Sequence, residues 1–182
     1  MDRRTAIQNL ALVIGGAVFL PRCTKSNPSA HFKHFDITFD QQTLITEIAE
    51  TIIPKTKTPG ATDLNLYGFV MKMVDECTKK KDQETFLKGM AEFDDTPKKM
   101  FNKTFADCSK KEKEEVLKSL EKKDNAYSKE LQAFYQTVKG LTVFGYTESQ
   151  YFMTKEIVYE LVPGRYNAWY PVKNGKAVAK NG

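Results

Sequence analysis

His31 and His34 are the only histidines in the 182-residue chain, and a spacing of three could place both on one metal ion. They lie in "TKSNPSAHFKHFDITFD", however, with no cysteine and no third strong ligand beside them. Two solvent-exposed histidines in a linker is the better reading. The three cysteines, Cys23, Cys77 and Cys108, form no C-x-x-C pair and no zinc spacing. Cys77 and Cys108 could pair in an oxidising compartment, stay as buried thiols, or bridge to a partner. Neither G-x-G-x-x-G nor G-x-x-x-x-G-K-[ST] is present, so no phosphate or dinucleotide cradle is expected. The commonest general base is missing outside the linker, and the many carboxylates sit on charged helix faces. The sequence therefore nominates no catalytic residue, no cofactor-binding residue and no metal ligand.

What remains is a chain built for export and packing. "MDRRTAIQN" is a short charged start, and "LALVIGGAVFLP" is an apolar run too short to span ~30 Å of hydrocarbon, which takes roughly 20 residues. That order reads as an export signal over residues 1–22. Arg3 and Arg4 resemble a twin-arginine signal, the route for cargo that is already folded; the alternative is an ordinary secretory signal with two chance arginines. Cys23 closes the run with Leu20 three residues before it, as at a lipid-attachment site, although Arg22 and Pro21 are unusual there. Cleavage elsewhere nearby and retention as an uncleaved anchor stay open. Residues 23–35 read as a linker, and residues 36–182 as the folded domain.

The chain has 41% hydrophobic and 12% aromatic residues, enough for a sizeable core. The net charge of +5 is spread with both signs along the chain, so no nucleic-acid-binding face is expected. Apolar residues recur at helical spacing throughout. Asp40 is the expected cap of a first helix carrying Leu44, Ile45, Ile48, Ala49, Ile52 and Ile53, and Pro54 stops it. A second helix is expected from about Asp63, with Leu66, Val70, Met73 and Cys77 on one face. Asp82 is the expected cap of a third, with Phe86, Met90 and Phe93, and Pro97 interrupts or restarts it before Met100, Phe101 and Phe105. Ser109 and Glu112 form a capping box for a fourth helix bearing Val116, Leu117 and Leu120. A fifth is expected from about Ala126 to Phe144, its stripe Leu131, Phe134, Val138, Leu141 and Phe144, with Gly145 ending it. Thr147 to Gln150 is a further capping box, opening a last helix to about Leu161. The fold class is all-α: one bundle of about six helices with an irregular tail from Pro163.

Two places stand out from this pattern. "ETIIPKTKTPGA" ties two helices through Pro54, Pro59 and Gly60. "YELVPGRYNAWYPV" crowds Tyr159, Tyr166, Trp169 and Tyr170 around two prolines and a glycine, in a stretch from Phe134 to Tyr170 that holds ten of the 21 aromatic residues. Such residues either close the bundle or face a partner.

Three blocks carry a resemblance. Thr51-Ile52-Ile53-Pro54, then Thr58-Pro59-Gly60-Ala61 and Phe69, form the first. "LTVFGYTES" at 141–149 and "VPGRYNAWYPV" at 162–172 are the others. Together they resemble the gluconate 2-dehydrogenase subunit 3 family; residues 78–125, rich in Lys and Glu, add little. The resemblance implies a non-catalytic small subunit of a periplasmic dehydrogenase complex. Its implied partner is a flavoprotein of the glucose-methanol-choline type that holds FAD and oxidises a sugar, sugar acid or polyol, passing electrons to a cytochrome c or another carrier. The small subunit would carry the export signal, escort the folded flavoprotein and stay bound to it. Membrane association would come through lipid, an uncleaved anchor or the partner. The implied interface comprises Pro54, Pro59, Gly60, Tyr146, Pro163, Gly164, Arg165, Tyr166, Trp169 and Tyr170. Two other classes compete: a free-standing periplasmic lipoprotein with a ligand in its bundle, and an enzyme with an unrecognised site built on Asp, Glu or Tyr.

Overall fold

The computed structural model describes residues 28–122, 126–157, 172–173 and 176–177. Among them are six helices, and the fold is all-α. Two short antiparallel ribbons accompany the bundle. Strand β1 (Pro28–His31) pairs with β2 (Asp36–Thr38), and β3 (Val172–Lys173) pairs with β4 (Lys176–Ala177). No helix of the described residues is long and apolar enough to cross a membrane.

Helix α1 (Phe39–Ile52) starts one residue before the expected cap. Thr38, still extended at the end of β2, caps it: Gln41 N–H donates to Thr38 Oγ1 at 3.2 Å, and Thr38 N–H to Gln41 Oε1 at 2.9 Å. A cap needs the non-helical backbone that the strand supplies, so Asp40 falls inside the first turn, where its charge favours the helix N-terminus. Leu44, Ile45, Ile48 and Ala49 are buried as the spacing predicts.

Helix α2 (Leu66–Cys77) begins three residues later than expected, behind Asn65 in the left-handed conformation. Its buried band is Leu66, Val70, Met71 and Val74. Met73 is only half-buried and Cys77 is exposed, because α2 packs on both α1 and the long helix over residues 129–147, and the face between them centres on Met71 and Val74. Helix α3 (Lys80–Phe93) has no side-chain cap; Asp82 lies in its first turn. Phe86, Met90 and Phe93 are buried as expected. Pro97 sits in the first turn of α4 (Asp95–Phe101), where its missing N–H costs least. Met100 points outward, 40% exposed, whereas Phe105 enters the core from the following turn, edge-on to Phe93 with centroids 5.1 Å apart.

The capping box of α5 (Lys110–Glu121) forms as read, with Ser109 N–H donating to Glu112 Oε2 at 2.6 Å. Val116, Leu117 and Leu120 face inward. Helix α6 (Lys129–Thr147) is the spine: it packs on α1, α2, α3 and α5. Ser128 caps it, accepting from Leu131 N–H at 3.0 Å, so the helix starts later than the expected Ala126. Leu131, Phe134 and Val138 are buried, but Phe144 is 49% exposed, so the stripe does not run inward to its end. Gly145 does not terminate α6. It is buried within the helix, against Phe69. The capping box expected at Thr147 is also not formed, since Thr147 Oγ1 donates back to Phe144 O at 3.0 Å. Ser149 instead accepts from Phe152 N–H, at 3.2 Å, ahead of one π-helical turn, Phe152–Glu156. The expected continuation to Leu161 lies outside the described residues.

Candidate functional site

The first two sequence blocks meet at one end of the bundle. There α1 ends, the 53–65 turn crosses, α2 begins and α6 finishes. Glu50, in the last turn of α1, is the centre of the turn. Its carboxylate accepts Lys55 N–H on one oxygen and Thr62 N–H on the other, both at 2.9 Å. Burial pulls this carboxyl up, but the two backbone N–H donors outweigh it and hold the carboxyl below the usual range. Asp63 adds a second brace, accepting Gly60 N–H at 3.0 Å and the Lys55 ammonium at 2.8 Å.

Gly60 is required here by space. A Cβ on it would stand 2.6 Å from Glu50 Oε1 and 2.6 Å from Lys55 N. Ala61 is 1% exposed, and its N–H donates to Ile53 O at 2.9 Å, bringing the turn back onto the end of α1. Ala49, Ala61 and Leu66 then make a small apolar cluster of their own, covered by Ile53, Leu64 and Tyr146. Pro54 and Pro59 are half-buried on its edge.

Tyr146 and Gly145 bring the second block to the same place. Tyr146 covers the Ala61 cluster on one side and meets Phe152 edge-on at 5.6 Å on the other. One residue earlier, the missing side chain of Gly145 lets Phe69 lie against α6; a Cβ would be 2.6 Å from Phe69 Cδ1. Phe69 pairs with Phe144 at 6.0 Å. Val143 and Phe144 beside it are 43% and 49% exposed, although they belong to the longest of the described helices. Thr142, in the same block, is fully buried and its hydroxyl has no partner.

A cleft of about 640 Å³ opens between these elements, with Leu64, Leu66, Phe69 and Gly145 on one wall and Glu148 to Tyr151, Thr154 and Lys155 on the other. It is a mixed surface, with apolar and polar lining, and its half-buried Phe69 pairs with the exposed Phe144 next to it. Such a make-up suits a protein segment or a small molecule more than it suits bond-making chemistry.

Of the residues nominated from sequence, Pro54, Pro59, Gly60 and Tyr146 therefore share one end of the fold. Pro163, Gly164, Arg165, Tyr166, Trp169 and Tyr170 lie outside the described residues, as do Cys23, Arg3 and Arg4. Glu50, Phe144 and Gly145 were not nominated. The glutamate was hidden because its partners are backbone groups five and twelve residues away, and Gly145 because a glycine near a helix end reads as a stop.

Elsewhere, His34 is not a free linker side chain. Asp75, 3% exposed on α2, accepts Lys33 N–H and His34 N–H at 2.8 Å each, and the His34 ring at 3.1 Å. His34 Nδ1 also lies 2.8 Å from Asp75 O, so that nitrogen carries the proton. The residues before α1 are thus fastened to the bundle. The one available signal was an aspartate directly beside the apolar Val74. Among the described residues no group of three or more His, Cys, Asp or Glu could hold a metal ion, and Cys77 and Cys108 are not joined.

A family model described as gluconate 2-dehydrogenase subunit 3 matches residues 39–164, more than half of the chain. No curated protein and no solved structure matches it.

Proposed function

The chain belongs to the gluconate 2-dehydrogenase subunit 3 family, and from that membership we propose that it is the non-catalytic small subunit of a periplasmic flavin-dependent dehydrogenase complex. In this reading it accompanies a glucose-methanol-choline type flavoprotein, which holds the FAD and oxidises a sugar, sugar acid or polyol, through export by the twin-arginine route. It then remains bound and stabilises that partner, with a cytochrome c as one candidate electron acceptor.

One observation carries the reading. Residues of two separated blocks, Pro54 to Ala61 with Phe69 and Leu141 to Tyr146, converge on one rigid end of the bundle that presents Val143 and Phe144 outward. The turn is braced by backbone N–H groups that donate to the Glu50 and Asp63 carboxylates, which commits both side chains to holding the turn. Pre-set apolar and aromatic groups of this kind lower the ordering cost of docking.

The test is recovery of the partner. A tagged chain drawn from its native cells under mild conditions is expected to bring a protein with a flavin absorbance spectrum. Phe144→Asp is expected to lower that recovery at least tenfold while the isolated chain stays folded, with a melting temperature lower by about 2–6 °C because the half-buried ring leaves Phe69. Recovery of no flavoprotein by the natural chain overturns the proposal. The competing reading, a small ligand in the 640 Å³ cleft, is favoured instead if the chain is monomeric and a small molecule co-purifies with it.

A further inference from the structure

The end of the domain opposite the cleft has its own exposed apolar group. Phe39 is 65% exposed, the most exposed large hydrophobic side chain among the described residues. It is the first residue of α1 and directly follows Thr38, which pairs with Pro28 across the β1–β2 ribbon. The ribbon is held in place by the carboxylate of Asp75, with the Phe32 and Phe35 rings tilted against each other at 5.6 Å and packed on the core. Whatever precedes Pro28 therefore leaves the domain beside Phe39.

The distances are short. Cys23 stands five residues before Pro28, a reach of at most about 18 Å, and the apolar run ending at Pro21 stands seven before it, at most about 25 Å. If Cys23 carries an acyl chain or the apolar run is retained, rather than lost by cleavage elsewhere nearby, this end is held close to a bilayer. The cleft is separated from it by the 14 residues of α1, roughly 21 Å.

We propose that the Phe39 end of the domain rests on the lipid surface, with the Phe39 ring in the interfacial layer beside the N-terminal anchor and the cleft turned away from the membrane. On a surface that lies against lipid, Phe is among the apolar side chains that bury at the headgroup–acyl boundary. Two weak attachments in series become one firm one, since the anchor presents the ring to lipid at high effective concentration. Asp40, Asp94 and Lys98 line the same hollow as Phe39, so this end offers no cationic patch. The contact therefore depends on burial of the ring and not on attraction to charged lipid. The orientation does not rest on the subunit reading and holds for any partner.

The experiment uses the full chain recovered from the membrane fraction and reconstituted into phosphatidylethanolamine–phosphatidylglycerol vesicles with brominated acyl chains. Trp169→Phe removes the only tryptophan, and Phe39→Trp or Phe144→Trp then reports one end at a time. At least twofold quenching of the Phe39→Trp variant is expected, unchanged at high salt, with none for Phe144→Trp. Quenching at 144 and not at 39, quenching of neither, or absence of the chain from the membrane fraction each overturns the proposal. If Trp169→Phe prevents folding, hydroxyl-radical footprinting of the natural chain compares the same two ends: vesicles should protect Phe39 and leave Phe144 reactive, and the reverse or equal protection overturns it.

Discussion

Replacing Gly60 by alanine tests the account of the turn directly. The added Cβ would lie 2.6 Å from Glu50 Oε1 and 2.6 Å from Lys55 N. The carboxylate is the more movable of the two, so it leaves and its hydrogen bonds from Lys55 N–H and Thr62 N–H are lost. Bonds to a charged acceptor contribute about 1.5–3 kcal/mol each when sheltered. Here both N–H groups regain water, so about 1 kcal/mol each is the better figure. The residual crowding against Lys55 N adds about 1 kcal/mol. Gly60→Ala should therefore cost about 3 kcal/mol, a fall of about 6–12 °C in melting temperature at this chain length. Glu50→Ala removes the same two bonds and should cost about 2 kcal/mol. The double variant should cost about 3 kcal/mol and not the sum of about 5, because the bonds can be lost only once. Urea unfolding followed by far-UV circular dichroism measures all three. Additivity within about 0.5 kcal/mol, or a neutral Gly60→Ala, refutes the claim that this glycine exists to admit the glutamate.

Two other glycines should respond in opposite directions in the same unfolding assay. At Gly89 a Cβ would be 2.2 Å from Glu130 O and 2.6 Å from Phe134 Cβ, so Gly89→Ala forces α3 and α6 apart and should cost about 3 kcal/mol or more. At Gly140 a Cβ meets nothing within 4 Å, so Gly140→Ala should stabilise by about 0.5–1 kcal/mol through helix propensity. Asp75 gives a pH test. Burial raises its carboxyl, but the N–H groups of Lys33 and His34 and the His34 ring more than reverse this, leaving it depressed. Its contribution is therefore present above an unfolded-state pKa of about 3.9 and is lost as pH falls through the lower folded value. Acid unfolding of Asp75→Asn should be less steep in that window than that of the natural chain, and proteolysis before Phe39 should be faster at neutral pH. Changing Arg3 and Arg4 together to lysine should leave the chain in the cytoplasm, measured by fractionation; normal export would rule out the twin-arginine route.

The all-helical class was legible because the buried positions of α1, α3, α5 and α6 repeat at helical spacing over two or more turns. The capping box at Ser109 was equally legible, since both its partners lie within four residues. Errors arose where one sequence signal has two physical causes. Thr38 and Asp40 are both good caps, and only the strand before Thr38 decides between them. Gly145 looks like a helix stop but serves a side chain from α2. The turn's importance was visible in Pro54, Pro59 and Gly60; its mechanism was not, because Glu50 acts on backbone groups that leave no trace in residue type. His34 is exposed as expected, but its tie to Asp75 was not visible, since that partner is 41 residues away.

The position of α6 in the chain governs when the domain can exist at all. It is the helix on which α1, α2, α3 and α5 all close, and it is the last of the six to be made. Until Phe134 has left the ribosome, Phe86 and Phe93 lack that ring, and until residue 147 has left it α6 is incomplete. At about 5–20 residues per second, this leaves roughly 6–24 seconds after Pro28 emerges in which the N-terminal segment is on display while its domain has no completed core. Translation order thus gives any factor that recognises residues 1–27 a head start over folding. A nascent chain halted before Lys129 would present that segment attached to helices that cannot yet hold together.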